Sequence, residues 1–216
     1  MALFVGLDGF RNGWVAAWIE NDGAHHFDYG NLDRLLSHSF TRAMIDIPIG
    51  LPDKGYRPCD SEARKLVGPS VFLGVRRSLL AFDDPDALNA FYLQNGEKRI
   101  ARQLWCIRNK IGEVDEFISR NRNIALYETH PELVFWSLTR KKFAKKKSYE
   151  GREQRIEVVR KHGFSKIESW IKTLRGTKIK LDDLIDACVC AIAARDARNI
   201  LGGELDSRGL RMEMHY

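Results

Sequence analysis

Residues 181–194 read LDDLIDACVCAIAA, and this stretch decides how the rest of the chain is interpreted. It is rich in Ala and Leu and contains no Gly or Pro, so it predicts a helix that ends at Gly202-Gly203. The residues three, four and seven positions after Asp186 form an apolar helical face: Val189, Cys190 and Ala193. A carboxylate on a packing face needs a cation, a hydrogen-bond donor or a proton.

Two more acids lie in the first turn of this predicted helix. Asp182 is expected to serve as N-cap or first-turn acid, where the helix dipole favours negative charge. Asp183 precedes Asp186 by three residues and therefore lies on the same side of the helix. We therefore expect other parts of the chain to place a cation, a hydrogen-bond donor or a proton next to Asp183 and Asp186.

Length and composition predict a single domain, residues 1–216, with room for a large insertion. The hydrophobic fraction of 44% suffices for a sizeable core. The net charge of +6 is compatible with a polyanionic partner but does not require one. Composition says nothing about the oligomeric state.

The four cysteines are scattered and do not indicate a zinc site or a disulfide framework: Cys59, Cys106, Cys188 and Cys190. The amino terminus lacks a basic n-region and a cleavage site. No apolar run approaches the roughly 18 residues that a membrane helix needs. We therefore expect a cytoplasmic protein with no membrane partner.

Apolar runs predict a first group of strands near the amino terminus, joined by the turn signal Asn21-Asp22-Gly23. The predicted strands are 3–8, 13–20 and 24–29, followed by a short helix at 32–37 and a strand within 43–50. Pro48 and Pro52 prevent regular strand pairing beyond that point.

Residues from about 53 to 122 carry no comparable strand and predict a mostly helical insertion, with helices at 60–67 and 85–118. A short strand at 123–128 then leads into a helix with Pro131 near its first position. Further helices are predicted at 151–162 and 167–174, and a terminal strand within 210–216.

This order of elements predicts an α/β protein with an RNase H-like mixed sheet flanked by helices. Three antiparallel strands come first and parallel strands follow, with strand one in the centre beside strand four. Asp8, Asp46 and Glu128 end three of these strands. We expect them to lie close together, opposite Asp186 on the last helix.

Clustered carboxylates repel each other, and a divalent cation keeps them charged at neutral pH. Oxygen ligands without a Cys or His set favour Mg²⁺ or Mn²⁺ over Zn²⁺. The predicted metal ligands and catalytic residues are therefore Asp8, Asp46, Glu128 and Asp186, with Asp183 assisting. Such ions activate water and stabilise the leaving oxygen in phosphodiester hydrolysis.

Several segments resemble a widespread family of predicted RNase H-like nucleases, grouped as domain of unknown function 429. They are VGLDGFRNGW (5–14), IDIPIGLP (45–52), RPCD (57–60) with Ala63-Arg64, SVF (70–72), KIGEVD (110–115), ETHPE (128–132), Lys146-Lys147, EGR (150–152), Asp182-Asp183 and Asp186-Ala187. The resemblance spans nearly the whole chain and implies the fold. The last helix also resembles that of Holliday-junction resolvases, where two acids three apart complete the metal site, here Asp183 and Asp186.

The densest positive region is 140–147, where six of eight residues are Lys or Arg. It is either a solvated surface or a phosphate-binding one. On the second interpretation, the candidate substrate-binding residues are Arg64, Lys146, Lys147 and Arg155.

The function that the sequence predicts is a divalent-metal-dependent nuclease acting on nucleic acid. DNA, RNA and small nucleotides stay open as substrates. One alternative is a nucleic-acid or nucleotide-binding protein that keeps the fold without turnover. Another is an ATP-binding protein like actin or the sugar kinases, which also open with Asp-Gly before a hairpin but need two such domains.

Overall fold

A computed structural model of the chain describes residues 3–20, 23 and 25–216. Asn21 and Asp22 of the predicted turn lie outside the described residues. The strands are β1 (Leu3–Phe10), β2 (Gly13–Glu20), β3 (His25–Gly30), β4 (Arg42–Ile45), β5 (Leu126–Glu128), β6 (Ile200–Leu205) and β7 (Arg211–His215). The helices are α1 (Leu32–Leu35), α2 (Pro58–Val67), α3 (Pro85–Gln94), α4 (Arg102–Arg120), α5 (Pro131–Thr139), α6 (Tyr149–Lys161), α7 (Ile167–Thr173) and α8 (Leu181–Asp196). None of the helices in these described ranges is long and apolar enough to cross a bilayer.

The chain divides into two compact units. The first contains residues 1–46, 123–198 and 215–216. The second contains residues 47–122 and 199–214, so the predicted insertion at about 53–122 falls within it, together with a carboxyl-terminal segment.

The first unit is built on a five-stranded mixed sheet in the order β3-β2-β1-β4-β5. β1, β2 and β3 pair antiparallel, whereas β4 pairs parallel to both β1 and β5. The predicted mixed α/β sheet, with strand one between strands two and four, is confirmed. β4 is shorter than the predicted run within 43–50 and ends before the first of the prolines, Pro48.

Helix α8 lies across one face of this sheet and is buried along nearly its whole length. It approaches β1 closely at Gly6, where an added Cβ would lie 2.6 Å from the Cys190 carbonyl carbon and closer still to Ala191 N and Ala187 O. Only a residue without a side chain permits this contact between strand and helix backbone. α8 is therefore fixed in depth and rotation over β1.

The predicted carboxyl-terminal end of the last helix is wrong. The helix ends at Asp196, before Gly202-Gly203, which belong to β6. Its last carbonyls are satisfied by Arg42 of β4, which donates to Ala194 O, to Ala193 O at 3.4 Å and to Ala197 O at 3.5 Å. At the amino-terminal end Lys180 is the N-cap residue. Of the two predicted roles of Asp182, the first-turn acid is therefore confirmed and the N-cap is not.

The second unit combines α2, α3 and α4 with a β6–β7 hairpin. Its segments are joined at Asp206, which accepts from Leu51 N at 2.9 Å and from Arg77 at 2.7 Å. The predicted helix over 85–118 is two helices, because the chain breaks between α3 and α4 around Gly96, whose φ is +72°. β6 was not predicted, since Gly202 and Gly203 indicated a helix end.

Candidate functional site

Asp8 and Asp46 project from neighbouring strands onto the face of the sheet that α8 covers. Asp46 follows β4 directly, and its N–H donates to Leu7 O at 3.0 Å, which continues the parallel pairing past the end of the strand. Gly6 faces α8 and pairs with Met44. Because side chains alternate along a strand, Asp8 and Asp46, each two residues further on, point to the same side.

Asp186 reaches this place from α8 and is only 3% exposed. Its Oδ2 accepts a hydrogen bond from Lys146 Nζ, which makes this pair an ion pair as well. Asp186 Oδ1 is buried and has no hydrogen-bond partner among the described residues. A buried carboxylate oxygen without a donor is costly, and its presence indicates a site for a cation or an ordered water.

The charges of these groups are strongly coupled. Burial, followed by the negative charges of Asp186 and Asp46, raises the pKa of Asp8 well above 3.8. Burial raises the pKa of Asp46 to about 6 and the pKa of Asp186 to about 7, although Lys146 opposes both shifts. Burial by itself would lower the pKa of Lys146, but the Asp186 carboxylate outweighs it, so the ammonium is held charged. One ammonium thus serves three crowded carboxyl groups, which is not enough to keep all three ionised at neutral pH.

The loop that carries Lys146 is fastened to the start of α6. Ser148 caps this helix, accepting from Gly151 N at 3.1 Å and donating to Lys145 O at 2.7 Å. A Cβ at Gly151 would lie 2.7 Å from Ala144 O and closer to Lys145 O, so the loop backbone presses on the helix where there is no side chain. These contacts fix the backbone on both sides of Lys146.

Arg155 is buried and holds the same loop, contrary to its predicted role in substrate binding. Its guanidinium pairs with both oxygens of Glu132 at 2.7 and 2.8 Å and donates to Gly151 O at 2.7 Å and Ala144 O at 3.2 Å. With its donors engaged and only 3% of the residue exposed, Arg155 is not available to a phosphate. It positions the loop of Lys146 instead.

Glu128 does not join the other acids. Glu128 on β5 pairs with Ile45 on β4, which pairs with Leu7 on β1. The residues one position earlier form the neighbouring row across these strands, and that row faces α8: Gly6, Met44 and Tyr127. The pleat therefore directs Glu128 to the opposite face of the sheet. A different acid adds negative charge near Asp46 and Asp186, namely Glu132 in the first turn of α5. It raises the pKa of both carboxyl groups, although burial has the larger effect on each. An acid in the first turn of a helix that begins with proline was the available signal for it.

Asp183 lies at the edge of the site and forms a capping box with Lys180, the N-cap residue of its own helix. Its Oδ2 accepts a hydrogen bond from Lys180 N at 2.8 Å. Burial raises its pKa, and its charge in turn raises that of Asp8. Cys190, one turn after Asp186, is also close, but burial raises the pKa of its thiol well above 9.0, so it stays protonated.

The other two predicted substrate-binding residues lie on the surface. Lys147 is exposed, next to Lys146 in the loop of the first unit. Arg64 belongs to the second unit, where it donates to Val71 O at 2.8 Å. Of the four, Lys146 is the residue that makes direct contact with one of the three clustered acids, Asp186.

Residues 6–208 match a protein family described as "Protein of unknown function (DUF429)". The chain belongs to this family. Searches of curated proteins and of solved structures gave no match. The DUF429 description assigns no activity, so the function of this DUF429 chain has to be argued from the chemistry of its site.

Proposed function

We propose that the protein is a divalent-metal-dependent phosphodiesterase acting on nucleic acid, with Asp8, Asp46 and Asp186 as ligands of Mg²⁺ or Mn²⁺. The observation that carries the proposal is the buried Asp186. It pairs with Lys146 through one oxygen and leaves the other without a partner, beside two further acids of raised pKa.

The donor chemistry fits such an ion. Carboxylate oxygens are the ligands that Mg²⁺ and Mn²⁺ prefer, and a bound cation would remove the repulsion that raises these pKa values. The thiol of Cys190 is protonated and Glu128 lies on the other face, so the ligand set is smaller than the sequence predicted. Glu132 adds negative charge, but Arg155 engages both of its oxygens.

The order of strands supports an RNase H-like fold. In that fold three antiparallel strands precede two parallel ones, with strand one central, as in β3-β2-β1-β4-β5 here. The acids lie two residues before the end of β1, directly after β4 and on the last helix of the first unit. A fold by itself does not assign an activity, so the proposal depends on the site.

When bound, the ion supplies an activated water and charge stabilisation for the leaving oxygen of a phosphodiester. The part of the chain itself is to hold three carboxylates on rigid elements, two on the sheet and one on α8. A bound ion and Lys146 would share Asp186. The Lys146 ammonium lies beside the carboxylates, where it would be placed to contact a phosphate of the substrate.

Binding of Mn²⁺, followed by electron paramagnetic resonance, tests the ligand set without requiring turnover. We expect Asp8→Asn, Asp46→Asn and Asp186→Asn to weaken binding by about 10-fold or more each. Asp182→Asn is the matched control on α8, because Asp182 lies outside the acid cluster. Its ion-pair partner is Arg152, whose Nε is 4.0 Å from Asp182 Oδ1. Glu128→Gln should also leave Mn²⁺ affinity unchanged, and a loss there would overturn the proposed ligand set.

Activity is tested with Mg²⁺ or Mn²⁺ on single-stranded and duplex DNA, RNA, hybrid and branched substrates. Cleavage that depends on the metal and on Asp186 is the expected result. If the folded protein cleaves none of them, the nuclease proposal fails.

A second function, nucleic-acid binding without turnover, is favoured by the Lys146–Asp186 pair itself. An ammonium in the site partly neutralises the acids without any metal. If millimolar Mn²⁺ does not bind, this second function replaces the first.

A further inference from the structure

Tyr149 is the most exposed large apolar side chain among the described residues, at 80%, whereas the next, Leu205, is 59% exposed. It is the first residue of α6 and follows directly on the loop that carries Lys146. A single exposed aromatic residue is ordinary on a protein surface. The charged residues around Tyr149 distinguish it from such a residue.

The surface beside Tyr149 is strongly basic. Residues 140–152 contain seven Lys or Arg and one acid, Glu150, so this segment carries a charge of +6. Four of the lysines are exposed and make no ion pair within the part of the chain that the structure describes: Lys141, Lys142, Lys145 and Lys147. Most of the positive charge near Tyr149 is therefore available to an anionic partner.

The same segment joins this surface to the acid cluster. Lys146 points inward to Asp186, while Lys145, Lys147 and Tyr149 are exposed on either side of it. Three residues of chain span at most about 11 Å, so the Tyr149 backbone lies within that distance of the Lys146 backbone. The Ser148 cap and the close contact at Gly151 keep this spacing fixed.

We propose that Tyr149, with Lys145 and Lys147, forms a platform for an unpaired nucleotide, so that the substrate is single-stranded or contains an unpaired stretch. An exposed aromatic ring stacks on a base and the lysines contact the phosphates on either side. In a duplex the base faces are already stacked on one another, and the ring has nothing to bind. An acidic peptide would use the lysines but has no use for the ring.

This inference rests on the proposed function for the role of the acid cluster, but its test does not require catalysis. The probes are a fluorescein-labelled single-stranded 12-mer of DNA, the same sequence as RNA, and the blunt DNA duplex. Binding is measured by fluorescence anisotropy in EDTA at several salt concentrations, for the wild type and the variants.

We expect the single strand to bind more tightly than the duplex. Tyr149→Ala should weaken single-strand binding by roughly 5- to 150-fold, the range for loss of one stacked base, and leave duplex binding unchanged. Tyr149→Trp should restore it. Tyr29→Ala is the matched control, a tyrosine 46% exposed on β3. Lys147→Gln should weaken the binding of all three probes and reduce the salt dependence of binding by about one phosphate contact.

The inference is overturned if Tyr149→Ala binds the single strand like the wild type, or loses single strand and duplex equally. It is also overturned if none of the three probes binds. Selective single-strand binding without cleavage of any substrate would support the platform and refute the nuclease. Metal-dependent cleavage that is unaffected by Tyr149→Ala would support the nuclease and refute the platform.

Discussion

Asp186→Asn should stabilise the metal-free protein at pH 8, although it removes the residue at the centre of the site. Burial raises the pKa of Asp186 to about 7, against an ordinary value of 3.8. The unfolded chain releases this proton near pH 4 and the folded protein only near pH 7. The folded state therefore binds more protons between these values, and its stability falls as the pH rises through that window.

The size of the effect follows from the difference of the two pKa values. About 3 units at 1.36 kcal/mol each correspond to at most about 4 kcal/mol, reached above pH 7. Asn has nearly the same shape and no charge, so it avoids this cost at every pH. We expect Asp186→Asn to be more stable than the wild type at pH 8 in EDTA, with an advantage that shrinks as the pH is lowered toward 4.

Urea unfolding followed by the fluorescence of the five tryptophans measures this difference. Asp182→Asn in the same helix should change the free energy of unfolding by less than about 0.5 kcal/mol. Added Mn²⁺ should stabilise the wild type at pH 8 more than it stabilises Asp186→Asn, because the variant lacks one of the three carboxylates proposed as ligands. The reasoning is refuted if Asp186→Asn is less stable than the wild type at pH 8 in EDTA, or if its advantage does not depend on pH.

Three further changes test the parts that build the site. Gly6→Ala should destabilise the protein by about 3 kcal/mol in urea unfolding, because the new Cβ would lie 2.6 Å from the Cys190 carbonyl carbon on a rigid helix; an effect below 1 kcal/mol would show that α8 can shift. Lys146→Met should raise Mn²⁺ affinity in calorimetry by about 10-fold, since a competing cation is removed. Lys147→Met should leave the affinity unchanged. An unchanged affinity in Lys146→Met would mean that the ammonium and the ion do not share Asp186. Arg155→Met should lower the free energy of unfolding by about 3 kcal/mol, because it leaves Glu132 without its bidentate partner. Arg160→Met, on the exposed side of α6, should lower it by less than about 0.5 kcal/mol. Equal losses in the two variants would contradict the buried role of Arg155.

The sequence was sufficient for the parts of this protein that depend on local pattern. Apolar runs located all the strands of the main sheet, and their order indicated that strand one lies between strands two and four. Pro131 correctly predicted the start of a helix. Asp186 stood out because an acid on an apolar helical face is locally inconsistent, and such inconsistencies are concentrated at functional sites.

Only the tertiary structure decided which acids share a face and which cations are free. Both Asp46 and Glu128 lie at or just past the end of a strand, but a shift of one residue in register reverses the direction of a side chain, so one faces α8 and the other does not. Likewise Lys146 and Arg155 belong to one basic region in the sequence, and only the fold turns Lys146 toward Asp186 and buries Arg155 against Glu132. Sequence position indicates where a strand ends, whereas the pairing of strands determines what its last residue meets.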